Sequence, residues 1–418
     1  MYNVIIFILK YNNLHNLYTI YKINSNIYMM NVLKNTKSKI ILLVTLDTKM
    51  SEADNLLKKI SNLNVKSNVI DISLRKSRLD KISLMESVSK KAGDFLKIIQ
   101  SEGPIIVVVL AGGTGMQIAL NAMSVLKPLT PRYLIGAFAE DVRPWIASSN
   151  TTVIPTIVDV NSNGPILDLI LHRAAKQIVS NVDDQLTLNI NEKSIGVTGL
   201  GVTEKAVKNL TDLIHKNNQK TSVFHSNGFG GAGLEMAIAE KWLSGLIDLT
   251  THEATRIWIK GAHMPMPMRF SEQKLSYLPR VTIPGGLNFL SLGSFSGLSK
   301  SYQKRQFFKH SEAVTHVCLT ENEMIKVANK LIEKLNRLSS PSVLAIPMGG
   351  FSSQDKTGGA IENIKIRELF RKVVSQKANG LIKVVVYKDH ISSKSFAKTI
   401  YENFKKIMIN HGENDGSK

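Results

Sequence analysis

The chain has 418 residues, 43% of them hydrophobic, enough for two or three packed domains, so disorder of the whole chain is excluded. Its single cysteine, Cys318, rules out an intrachain disulfide, a four-cysteine zinc site and a CxxC redox couple, and points to a reducing, cytoplasmic setting; no apolar run approaches the about 20 residues that span a bilayer. The 53 Lys and Arg against 33 Asp and Glu give a net charge of +20, but lysines such as Lys205, Lys208, Lys216 and Lys220 scatter over polar helix faces without aromatic interleaving, a solvated surface in preference to a nucleic-acid footprint.

Residues 1–38 contain no acidic residue and are rich in Tyr, Asn and Ile. They lack the positive start of a signal peptide and the arginines of an organellar presequence, so an unstructured extension, with Met29 or Met30 as an alternative start, is expected in preference to a targeting segment. From Lys39 onward, strands and helices alternate over short connections, the pattern of a parallel sheet covered on both faces. Ile40–Leu46 reads as a strand, a helix starts at Ser51, Asn68–Ile72 is a second strand, and a long helix covers 79–99. The strand from Ile105, its glycine turn and a helix to Leu126 follow, then strands over 133–138 and 152–160 and a helix over 166–182. After a polar stretch at 189–193 the pattern restarts: strand 194–197, helix 203–215, strand 221–224, helix 231–243, strand 247–251. Residues 260–312, with four prolines, are expected to be irregular and near a site. A strand over 314–319, a helix over 321–338, a strand over 343–347, a helix over 361–374, a strand over 382–387 and a helix from Ser395 complete the chain. The predicted fold class is α/β, with two doubly wound Rossmann-like domains of mostly parallel sheets, 39–188 and 189–410, and a frayed polar tail, 411–418.

In open α/β sheets the strand-to-helix turns at the carboxyl edge hold the ligands. The first strand ends in Thr45-Leu46-Asp47-Thr48-Lys49, which offers a carboxylate, hydroxyls and an ammonium for phosphate and Mg²⁺, or equally a helix cap. Ala111-Gly112-Gly113-Thr114-Gly115 opens a helix and allows close backbone approach to phosphate, although it lacks the Lys of a P-loop. A second cluster, Gly228 to Gly233 with Gly230 and Gly231, satisfies G-x-G-x-x-G, and Asp248 follows, which leaves a dinucleotide-dependent oxidoreductase as an alternative. Asp248 does not close its strand, however, and the glycines come late in their domain. Thr250, Thr251, His252 and Glu253 stand at another strand end. Glu253 and Glu235 could hold Mg²⁺ through water or act as a base, or Glu253 could cap the next helix, while His252 reads as a surface or satisfied histidine in preference to a catalyst.

Those segments occur in a familiar order. Thr45 to Lys49, Ala111 to Gly115, Asp141-Val142 with Pro144, Val158-Asp159, His225 with Gly228, Gly230, Gly231 and Glu235, Leu249-Thr250-Thr251 with Glu253, Pro284-Gly285, His310 with Val314-Thr315, Ile346-Pro347 with Gly350 and Ser352, and His390-Ile391 with Phe396-Ala397 form the set. Together they resemble the family of the ATP-binding inhibitor domain of the tomato mosaic virus resistance protein and its bacterial, archaeal and fungal relatives. The resemblance implies a homodimer with a Mg²⁺-dependent ATP site built from loops at strand ends and held between two domains. With the residue chemistry above, the candidates for that site are Gly112, Gly113, Thr114, Gly115, Gly228, Gly230 and Gly231 at phosphates, Asp47 and Glu253 in the metal's water shell, and Thr45, Thr48, Thr250 and Thr251 for hydroxyl contacts. Several family positions have lost charge or changed character here: Met50 stands for Gly, Ala232 for Arg, Ser149-Asn150 for Lys-Asp, Asn288 for Asp, Gly349 for a basic residue and Ser392-Ser393 for Asn-Asp. The expected function is therefore a nucleotide-controlled binding module with a protein partner, or an ATP-dependent ligase or phosphotransferase, with RNA binding through the basic surface as a further alternative.

Overall fold

A computed structural model of the chain describes residues 4–5, 18–23, 26–31, 39–75, 77–138, 141–161, 163–182, 192–261, 269–270, 278–340 and 342–415. The chain divides into two compact units, Met1–Asn189 and Ile190–Lys418.

In the first unit, the segment expected to be unstructured contains three short antiparallel strands, β1 (Val4–Ile5), β2 (Tyr18–Ile23) and β3 (Asn26–Asn31). Alternating Tyr, Thr and Ile are strong strand formers, a preference that outweighs the segment's odd composition. The remainder of 1–38 lies outside the described residues. The main elements are β4 (Lys39–Val44), α1 (Leu46–Ser61), β5 (Ser67–Asp71), α2 (Lys81–Glu102), β6 (Ile105–Leu110), α3 (Gly113–Ala122), β7 (Arg132–Gly136), α4 (Arg143–Ile146), β8 (Thr151–Pro155) and α5 (Pro165–Val179). The five strands β4–β8 are parallel in the order β5-β4-β6-β7-β8. β4 and β6 are continuous apolar runs because a parallel strand here is buried on both faces. Ile41, Leu43, Val107 and Val109 pack with Phe95 and Leu96 of α2 and Ile118 of α3. Ile40, Leu42, Ile106 and Val108 pack instead with Leu56 and Ile60 of α1 and Leu167 and Leu171 of α5. Each such aliphatic side chain contributes roughly 1.5–3 kcal/mol through burial.

The second unit comprises β9 (Ser194–Gly199), α6 (Glu204–Lys216), β10 (Thr221–His225), α7 (Phe229–Ala239), β11 (Leu243–Thr250), α8 (Glu253–Trp258), β12 (Arg280–Gly285), β13 (Phe289–Leu292), α9 (Lys300–Gln303), β14 (Phe307–Lys309), β15 (Thr315–Cys318), α10 (Glu321–Leu335), β16 (Ser342–Pro347), α11 (Ile364–Lys377), β17 (Ile382–Tyr387) and α12 (Lys394–Asp415). Six strands form a parallel sheet in the order β10-β9-β11-β12-β16-β17, and β13-β15-β14 form a small antiparallel sheet. Both units are thus α/β and Rossmann-like, with mostly parallel sheets.

Three differences from the sequence expectation have physical causes. The stretch read as irregular supplies β12, a central strand buried along its whole length. Pro279 precedes it and Pro284 lies at its end, so neither proline interrupts the ladder's middle. The helix expected to reach Leu243 stops at Ala239, because Lys241 adopts φ 59° and turns the chain into β11. The strand around Val314–Leu319 is present as β15 but joins the antiparallel sheet; alternation gives a strand's faces, not its partner. At the other end, α12 continues to Asp415 through part of the tail expected to fray.

Candidate functional site

Numbered along the chain, the parallel strands of the first unit run 2-1-3-4-5, so the winding reverses between β4 and β6. The crevice outside the carboxyl ends at such a switch point is where doubly wound sheets take ligands. The loops leaving the sheet there are Thr45–Lys49 and Ala111–Gly115. They are in direct contact, since a Cβ built on Gly115 would lie 3.1 Å from Thr45 Cγ2.

These loops differ in what their backbone has left to offer. At the start of α1, the Leu46 N–H donates to Asp71 Oδ1 (3.2 Å) and the Asp47 N–H to Ser73 Oγ (3.1 Å). The Thr48 and Lys49 N–H groups donate to the Thr45 carbonyl, and Lys49, at φ −131°, breaks the helical geometry after one turn. This helix start is therefore capped from within. Burial alone would raise the Asp71 carboxyl, but donors from Ser73, Arg75 and Leu46 outweigh burial and hold it below the usual carboxylate range. By contrast, α3 has no side-chain cap at Gly112, and its first-turn N–H groups, from Gly113, Thr114 and Gly115, have no intrahelical acceptor. A Cβ on Gly112 would meet nothing within 4 Å, so open space faces this turn. The neighbouring loop carries the exposed Asp47 and Thr48, with Thr45 Oγ1 and Thr48 Oγ1 3.0 Å apart, and Lys49, whose Nζ donates to Asn161 Oδ1 at 3.1 Å.

The glycine cluster of the second unit has the same sequence pattern and the opposite environment. Gly228, at φ 111°, is the N-cap of α7, a conformation that favours glycine. Its N–H donates to Glu253 Oε1 at 2.8 Å. Gly231 lies so close to the same carboxylate that a Cβ there would collide with it, while Gly230 lies against the His225 backbone. Glu253 is fully buried and its other oxygen accepts from Arg269 Nε at 2.9 Å. Arg269 Nη2 donates to both oxygens of Asp248, at 2.8 and 3.0 Å, and Nη1 lies 3.6 Å from Glu235 Oε1. Burial by itself would lower the Arg269 pKa, but the carboxylates of Asp248, Glu253 and Glu235 raise it above its ordinary value. Burial raises the Glu235 carboxyl, against the pull of Arg269 and Arg280. Glu253 is thus a positioning residue: it caps the glycine turn with a negative charge and is anchored by a buried guanidinium.

Thr250 and Thr251 are also fully buried. Thr250 Oγ1 pairs with Thr203 Oγ1 at 2.8 Å, and Thr251 Oγ1 donates to the Ile283 carbonyl at 3.1 Å. His252 is buried and satisfied, not at the surface, with Nδ1 2.7 Å from the Gly286 carbonyl and Nε2 3.0 Å from Ser291 Oγ. Among the described residues no group of three or more His, Cys, Asp or Glu is arranged to hold a metal ion; His263 lies outside them. Also among them, no helix is long and apolar enough to cross a membrane. The residues that sequence reasoning missed are Asp71, Ser73 and Arg269. Asp71 closes the strand beside β4, so its place at the carboxyl edge was readable once strand order was known. Arg269 lies in a proline-rich stretch with no periodicity, and nothing local signals its burial.

Comparison with known proteins places this arrangement. The Uncharacterised protein family (UPF0261) N-terminal domain matches residues 75–187, and the C-terminal domain of the same family matches 192–408. The chain belongs to the UPF0261 family. A UPF0261 protein of Clostridium tetani (strain Massachusetts / E88) is 27% identical over 399 residues, covering 88% of this chain and 99% of that protein. ToMV resistance protein Tm-1(GCR237) of Solanum lycopersicum is 26% identical over 333 residues, covering 77% of this chain but only 44% of the tomato protein. Among solved structures, arginase from Bacillus cereus covers 82% of this chain at 12% identity, with a TM-score of 0.19, too loose an overlay to bear on fold or chemistry. In this UPF0261 chain the matched N-terminal domain, 75–187, lies within the first α/β unit and begins after β5, and the matched C-terminal domain, 192–408, covers most of the second.

Proposed function

We propose that the protein binds Mg·ATP through the first unit and acts as a nucleotide-controlled binding module. The observation that carries this is the β4/β6 switch point, where an uncapped ten-residue helix, open space at Gly112 and an exposed carboxylate at Asp47 share one edge. Gly113, Thr114 and Gly115 N–H groups would hold phosphate oxygens, aided by the positive end of the α3 dipole. Thr45 and Thr48 supply hydroxyls. Asp47 fits Mg²⁺, which keeps most of its waters and takes one or two carboxylates. When bound, the ion neutralises phosphate charge. Glu253 does not fit that role, because both its oxygens already accept from buried donors.

The dinucleotide reading of Gly228 to Gly233 has the wrong electrostatics: a pyrophosphate would meet the Glu253 carboxylate, and Asp248 is buried against Arg269 instead of facing a ribose. A module, in preference to a phosphotransferase, is supported by the loss of charged residues from loops where the resembled family carries them, since phosphoryl transfer depends on positioned charges. The name of the tomato relative, a ToMV resistance protein, is compatible with action through a partner. The module is proposed to work as a homodimer, which sedimentation with and without ATP tests.

The deciding experiment is calorimetric titration of the full chain with ATP, with and without Mg²⁺, and with NAD as control. Mg²⁺-dependent ATP binding is expected, weakened at least about tenfold by Gly112→Leu, which puts a side chain into the turn where a Cβ meets nothing within 4 Å. Preferential NAD binding, or ATP affinity indifferent to Gly112→Leu, would refute the assignment. Turnover stimulated by an acceptor would replace the module with an enzyme.

A further inference from the structure

The carboxyl edge of the second unit carries a set of groups that the nucleotide reading does not use. The loop between β16 and α11 interlocks with the loop after β17. A Cβ on Gly349 would lie 2.6 Å from the His390 backbone nitrogen, and Gly350, at φ 141°, leaves room for the Asp355 carbonyl and the His390 ring. His390 Nε2–H donates to the Ser352 carbonyl at 3.0 Å and Nδ1 accepts from the Ser392 N–H at 3.1 Å, which fixes a neutral ring in one tautomer. Burial first, and then the positive charges of Arg367, Lys356 and Lys205, lower its pKa. Ser353 N–H donates to the Val202 carbonyl at 2.8 Å, tying the start of the Lys205 helix to the same edge.

The acids of this region are already engaged. Asp355 pairs with Arg367 and accepts from the Phe351 and Asn363 N–H groups. Asp389 accepts from the Ser393 and Ser395 hydroxyls. Lys205 and Lys356, both exposed, are left as positive charge. Among the described residues, the Ser352 hydroxyl and both amide atoms of Asn288 have no hydrogen-bond partner, and each residue is 0% exposed. Asn288 lies on the loop after β12, which the Gly286 N–H bonds to the Phe351 carbonyl at 2.8 Å, one residue from Ser352. A native fold keeps few such groups, because each unsatisfied polar group costs about 1–3 kcal/mol.

We propose that this edge binds a small oxyanion, a phosphate or a carboxylate, accepting hydrogen bonds from the Ser352 hydroxyl and the Asn288 amide and drawn in by Lys205 and Lys356. The site belongs to the second unit and is independent of the nucleotide reading. Its half-buried His390 marks where the edge meets solvent.

The test is calorimetry of the full chain at low ionic strength with inorganic phosphate and, separately, acetate. One of the two is expected to bind, phosphate over acetate assigning the phosphate class and the reverse the carboxylate class. Binding should persist in Gly112→Leu and weaken about tenfold in Ser352→Ala and in the Lys205→Ala, Lys356→Ala double variant. A melt by circular dichroism checks that each variant is folded. As a second measurement, Asn288→Leu without added anion should melt no lower than the parent, since it removes no hydrogen bond. Neither anion binding, binding lost in Gly112→Leu but retained in Ser352→Ala, or Asn288→Leu melting several degrees lower would overturn the proposal.

Discussion

Replacing Glu253 by alanine separates two roles that the sequence leaves open. A metal-ligating carboxylate could be removed with little effect on stability, whereas the carboxylate seen here holds two buried donors, the Gly228 N–H at 2.8 Å and Arg269 Nε at 2.9 Å. Hydrogen bonds to a charged group are worth about 1.5–3 kcal/mol each, and breaking a buried ion pair costs about 3–5 kcal/mol. Arg269 keeps Asp248, which limits the loss, so Glu253→Ala should destabilise the second unit by about 4 kcal/mol. Glu253→Gln retains an acceptor for Gly228 and should cost about half as much. Urea unfolding followed by fluorescence measures this in a Trp145→Phe background, where the remaining tryptophans, Trp242 and Trp258, both report on the second unit. A Glu253→Ala midpoint unchanged from the parent, together with weakened Mg²⁺-dependent ATP binding, would refute the structural role and return Glu253 to the metal.

Two further outcomes follow from the same geometry. Asp71→Asn removes the charged acceptor that caps α1 and should cost about 1–2 kcal/mol at neutral pH. Because the folded Asp71 pKa is lowered, that contribution is complete above the ordinary value of 3.8 and is lost as pH falls through the lower folded value; acid titrations of parent and variant should therefore converge there. Burial pushes the Cys318 thiol up to about 11, so iodoacetamide should leave it unmodified in the native protein at pH 8 and label it in urea, as mass spectrometry reads; rapid native labelling would contradict its burial in β15.

The central parallel strands of the first unit were legible because Ile40–Val44 and Ile105–Leu110 are uninterrupted apolar runs, as a sheet covered on both faces needs. The strand Arg280–Gly285 was not, since its flanking prolines are loop signals unless the strand's own limits are known. The small antiparallel sheet escaped for a different reason: β13 and β14 are short, and their pairing with β15 is a long-range choice that local alternation does not encode.

The two glycine turns show the same limit at the candidate site. Gly112 to Gly115 and Gly228 to Gly231 look alike as sequence, each a small-residue cluster opening a helix. What separates them is supplied from elsewhere in the chain: among the described residues no side chain caps α3, whereas Glu253, held by Arg269, places a carboxylate on Gly228. An anion bound at α3 meets free N–H groups and a positive dipole end; one brought to α7 must displace a buried, hydrogen-bonded negative charge. A glycine motif therefore sets what the backbone can approach, and the charge beside it decides whether phosphate is admitted. That charge depends on a salt bridge between residues 16 positions apart, one of them in a stretch with no regular pattern. For this reason the first unit, in which the capping partners of α1 and the open turn of α3 are both set by strand order, is where nucleotide binding should be sought.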